Sequence, residues 1–93
     1  MATAADLKEV LVTGLEEGIA TLESRVAEVP FDHGARPELE KAITHLEKAL
    51  RVARKTKPDQ WPIVTWLRAI EAYDAVYKRG MDVAARARRS RGP

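Results

Sequence analysis

The sequence contains no cysteine. Disulfides, thiolate nucleophiles and cysteine-ligated zinc or iron–sulfur centres are therefore excluded. No apolar run approaches the ~18 residues of a membrane-spanning helix. The opening MATAADLKEV has an acid at Asp6 and no apolar core, unlike a secretory signal. The period-two alternation of a half-buried strand appears nowhere. Phosphate-binding glycine loops, nucleotide fingerprints and Ser–His–Asp sets are also missing. Glu16, Glu17 and Glu23 have no histidine nearby with which to form a Glu-x-x-His metal set. The expectation is a protein of the cytoplasm, without membrane contact, metal or other cofactor, and without a catalytic set.

Proline and glycine are scarce, five of each, and most of the prolines fall in two short stretches. PFDHGARP (30–37) holds two prolines and a glycine; TKPDQWP (56–62) holds two prolines and an aspartate. The segments around these breaks read as helices. A chain of 93 residues forms one domain, 1–93, burying roughly 60–65% of the surface its unfolded form exposes.

The expected fold is an all-α, antiparallel three-helix bundle with helices at about 4–29, 37–55 and 62–88. Thr3 is placed to cap the first helix, with Asp6 near the positive end of its dipole. Leu7, Val10, Leu11, Leu15, Gly18, Ile19, Leu22, Val26 and Val29 fall on one broad face. Gly14 and Gly18 each cost about 1 kcal/mol inside a helix, and their spacing suits the close approach of another helix. Pro37 suits the first turn of the second helix. Leu39, Ile43, Leu46, Leu50 and Ala53 form its seam, widened by Ala42 and Ala49. Pro58 stops it by disfavouring helical geometry at Lys57. Asp59 is the expected cap of the third helix, whose apolar residues span roughly 200° of its circumference. Such an arc should touch both neighbours and make this helix the most buried.

Aromatic residues are few, and four of the five lie between Trp61 and Tyr77. Trp66 and Tyr73 are expected in the core and Trp61 over one end of the bundle. Asp74, at the edge of the arc, is expected to pair with Lys78 one turn on. At ~1.5 Å per residue, outer helices of about 40 Å exceed a second helix of about 28 Å. The first turns of the first helix should then overhang. Leu7, Val10, Leu11, Gly14 and Gly18 form the surface through which self-association into a homo-oligomer is expected.

The net charge is only +2, but it is polarised. The first helix carries Asp6, Glu9, Glu16, Glu17, Glu23 and Glu28. A basic tail, 86–93, carries Arg86, Arg88, Arg89 and Arg91, and a second cluster holds Arg51, Arg54, Lys55 and Lys57. Cations at a helix C-terminus favour its dipole, but four arginines in six residues exceed that need. Contact with nucleic-acid phosphates or with an acidic protein surface is expected through Arg86, Arg88, Arg89, Arg91, Arg54, Lys55 and Lys57.

His33 stands in the first break beside Asp32. His45 belongs to THLEKAL (44–50), a His-x-x-Lys-Ala run that resembles the phosphorylated helix of histidine phosphotransfer domains. The resemblance implies an exposed phosphate-accepting His45 with Lys48 offsetting the added charge. It departs at Leu50, where that family places a small residue, and those domains use a four-helix core. The reading is a non-enzymatic binding or assembly module. The alternatives are phosphotransfer through His45 or a small structural subunit of a larger particle.

Overall fold

Thr3 begins the first helix by a reciprocal cap: its hydroxyl accepts from the Asp6 amide at 3.2 Å, and the Asp6 carboxylate accepts from the Thr3 amide at 3.0 Å. A computed structural model describes residues 2–90, with Ser90 by its backbone alone. Helix α1 spans Ala4–Ala27. It ends two residues short of Val29, because the amides of Glu28 and Val29 bond back three residues, to Arg25 and Val26, and tighten the last turn. No residue there takes a positive φ. Instead the Arg36 guanidinium donates to the carbonyls of Val29 at 2.8 Å and Val26 at 3.4 Å.

Helix α2 spans Ala35–Lys55. Pro37 sits in its first turn, where a missing N–H costs nothing. His33 helps to start it, Nδ1 accepting from the Ala35 amide at 3.0 Å. At the far end the Lys8 ammonium donates to the carbonyls of Thr56 at 2.8 Å and Arg54 at 3.3 Å. A 3₁₀ turn, Pro58–Gln60, follows, and then α3, Ile63–Ser90. Asp59 lies inside that turn and is not the cap of α3. The Pro62 carbonyl takes the first amide bonds, from Thr65 and Trp66.

The protein is an all-α three-helix bundle in which every helix packs on the other two. Helix α2 runs antiparallel to its neighbours, and α1 and α3 run parallel in a register that sets Gly14 against Tyr73, Gly18 against Tyr77 and Leu22 against Gly80. The close approach expected at Gly14 and Gly18 is therefore made within the chain. Trp66, Leu15, Leu22, Leu39 and Leu46 are wholly buried. Trp66 donates Nε1–H to the Pro58 carbonyl at 3.0 Å, and Trp61 closes that end of the core with its ring centre 4.6 Å from that of Trp66.

Two expectations need correction. Helix α3 is not the most buried element. It buries Trp66, Gly80, Val83, Ala84 and Ala87, whereas Ile63, Val64 and Leu67 are 48%, 50% and 45% exposed. Its apolar arc is wider than α1 and α2 can reach, and its first turns have no neighbour on the outer side. Nor do the first turns of α1 overhang. Helix α1 is shorter and α2 longer than expected, at 24 and 21 residues, and the 3₁₀ turn packs on α1. Leu7 and Leu11 are consequently buried at 8% and 2%, and only Val10, at 55%, stays exposed.

Candidate functional site

The basic tail begins on the last turns of α3, where two of its arginines already have partners. Arg86 donates to Asp82 at 2.9 Å and Arg88 to Glu28 at 2.8 Å, Glu28 also lying 3.8 Å from Arg25. Arg89 is exposed and makes no ion pair among the described residues. Arg91 lies outside the described residues. The second cluster surrounds the C-terminus of α2. Arg54 donates to Glu16 at 3.2 Å, and Arg51, Lys55 and Lys57 are exposed. Because α2 and α3 are antiparallel, the two clusters stand at opposite ends of a molecule 52 Å long and do not form one patch.

Between these clusters runs a groove on the α2–α3 face. Small residues, Ala42, Ala49, Ala69, Ala72 and Gly80, line it together with the buried Leu11, Leu46 and Val83. Near the tryptophans it opens into a hollow of about 310 Å³ that reaches Val52 and Trp61, with Lys48 and His45 at its rim. A second hollow of about 400 Å³ continues past Val76, with Lys41 and Glu38 on one rim and Arg79 on the other. A third, of about 330 Å³, leads on to His33 and Arg86. His45 borders the first two and Glu38 the last two, so the hollows follow one another along the α2–α3 face. Lys41, Lys48 and Arg79 make no ion pair among the described residues, and Glu38 is the acid among them. The α2 side alone, from Glu38 to Val52, is about 21 Å long.

The outer side of α1 has the opposite sign. Between Ala4 and Ser24 its one cation is Lys8, spent on the end of α2. Asp6, Glu9, Glu16, Glu17 and Glu23 are all exposed. An open hollow of about 500 Å³ between α1 and α3 is bordered by Asp6, Glu9, Glu17 and Tyr73. Burial first, and then the charges of Asp74, Tyr77 and Glu17, push the Tyr73 hydroxyl above its ordinary pKa. Asp74 accepts from Lys78 at 2.8 Å, the rim pair expected from sequence, and that bond raises the Lys78 pKa.

Of the residues expected to mediate self-association, Leu7, Leu11 and Gly18 are buried within the chain, Gly14 is covered by Tyr73, and Val10 faces solvent. Lys41 and Arg79 were not singled out from the sequence, and Lys48 only as the neighbour of His45. Their signal was the seven-residue recurrence of lysine at 41, 48 and 55 beside alanines at 42 and 49. No three acidic or histidine side chains among the described residues converge as a metal-binding group. No helix there is long and apolar enough to cross a membrane. Compared with protein-family models, curated proteins and solved structures, the chain matches none.

Proposed function

We propose that the protein is a non-enzymatic binding module that takes an acidic, helical segment of a protein into the groove between α2 and α3. The observation behind this reading is the pairing of an alanine-rich floor with lysines on one rim and Arg79 on the other. A helix with a small apolar stripe flanked by Asp and Glu matches both features. A nucleic-acid backbone would use the cations and leave the apolar floor empty. Arg86 and, beyond it, Arg88 and Arg89 extend the positive field past one end of the groove. Arg54, Lys55 and Lys57 extend it past the other. The pairs of Arg86, Arg88 and Arg54 are exposed and worth about 0–1 kcal/mol, so each is readily exchanged for a partner's carboxylate. A cytoplasmic setting belongs to the same proposal.

Trp61 at the groove's end provides the readout. Titration with an acidic amphipathic peptide should change tryptophan fluorescence, and the affinity should fall as salt rises. K41E combined with K48E should weaken binding at least ~10-fold, as expected for two lost and reversed charge contacts. Unchanged affinity in that variant overturns the proposal. So does tight binding to mixed-sequence DNA that the peptide cannot displace and that deletion of residues 86–93 abolishes.

One observation favours a second reading. His45 is exposed on α2 with Lys41 and Lys48 a turn to either side, an arrangement that suits a phosphorylated imidazole. An acid-labile phosphate on the protein, lost in H45A, is the result that this reading requires.

A further inference from the structure

The acidic helix that best fits the groove is in the chain itself. We infer that α1 of a second copy occupies the α2–α3 groove, so that the protein assembles head to tail. This rests on the groove reading above and names its occupant.

The first argument is charge. On the outer side of α1, Glu9, Glu16 and Glu23 recur every seven residues, and on α2 Lys41, Lys48 and Lys55 recur every seven. All six are exposed. A seven-residue repeat keeps a row on nearly one line of a helix, so two opposed rows stay in step along their lengths. Glu16 must exchange Arg54 of its own chain for a lysine of the neighbour, a trade between exposed pairs. The second argument is shape. Val10, Thr13 and Ala20 lie exposed on the same outer side of α1 and are small enough to enter an alanine floor. The third is length. Glu9 to Glu23 rises about 21 Å, as does Glu38 to Val52 in the groove.

The geometry also fixes the mode of assembly. Helix α1 buries its inner side against both α2 and α3, so its outer side faces away from the groove those two helices form. A copy that inserts α1 into a neighbour leaves its own groove empty. The contact is heterologous, and growth continues until a ring closes or a filament forms.

The decisive experiment mixes two variants followed by sedimentation velocity. K41E/K48E spoils the groove and leaves α1 intact. E9Q/E16Q/E23Q removes the acidic row of α1, leaves the groove intact and offers no positive charge to the acidified groove of the other variant. Wild type should gain mass with concentration across the micromolar range and return to the 10.4 kDa chain mass at high salt. Each variant alone should stay at 10.4 kDa with unchanged helical circular dichroism. Mixed, the two should form a species of twice that mass and stop there, because one groove and one α1 remain in play. Wild type that stays at chain mass while the acidic peptide still binds overturns the assembly and spares the groove. Failure of both removes both. Association of either variant alone, or growth of the mixture beyond a pair, overturns the head-to-tail contact.

Discussion

Replacing Gly80 with alanine sets two known effects against each other at one point of the bundle. Alanine is about 1 kcal/mol better than glycine inside a helix, and Gly80 is in the interior of α3. Against this, a Cβ at Gly80 would lie 3.0 and 3.1 Å from the two methyls of Leu22 and 3.6 Å from the Ala42 Cβ. Leu22 is wholly buried, so its methyls can give way only by displacing other core side chains. Overpacking of this kind costs about 1–3 kcal/mol. The difference predicts a net destabilisation of about 1 kcal/mol, hence a fall in Tm of roughly 4–8 °C for a domain of this size. Thermal unfolding followed by circular dichroism measures it. The double variant L22V/G80A, which removes a methylene where the new methyl arrives, should recover more than the two separate costs would allow. A Tm for G80A above that of wild type would refute the reasoning, since the helices would then not be in close contact there.

Two further predictions concern the aromatic end of the core. W66F removes the Nε1–H bond to Pro58 and leaves part of a wholly buried volume empty, at a cost of about 2–3 kcal/mol; an unshifted denaturant midpoint would contradict the burial. Because the Tyr73 pKa is raised from 10.0, the unfolded chain loses that proton first, so stability should hold below pH 10 and decline as pH rises toward the folded value. Lys78, raised from 10.5 by its bond to Asp74, contributes loss in the same direction at somewhat higher pH. Y73F should retain only that later part, and urea midpoints at several alkaline pH values separate the two.

Helices and their order were legible because their signals are local. Thr3 with Asp6, the two proline-containing breaks, and the leucine seam of α2 all act within a few residues of themselves. The spacing of Gly14 and Gly18 announced a close neighbour, and Tyr73 and Tyr77 proved to be what comes close. Periodicity alone misjudged α3. A helical wheel shows that Ile63 and Leu67 share an arc with Trp66, but not that both neighbours stop short of that flank. The groove was harder still. Alanine at 42, 49, 69 and 72 reads equally well as the edge of a core or as the lining of an open groove. The choice depends on how two helices separated by a break are set against each other. Lysines 41, 48 and 55 form a row in the sequence, but they acquire a role only when Arg79 is brought across from α3.

The cations that finish the helices have a consequence for how the chain folds. The Arg36 side chain of α2 donates to the Val26 carbonyl in the last turn of α1 and to Val29 just beyond it, and the Lys8 side chain of α1 donates to the Arg54 carbonyl in the last turn of α2 and to Thr56 just beyond it. Each helix thus carries the stopper for the other. Cut apart, both peptides should fray at their C-terminal turns, and neither end is complete until the hairpin has closed. The limits of these two rods are a property of the pair.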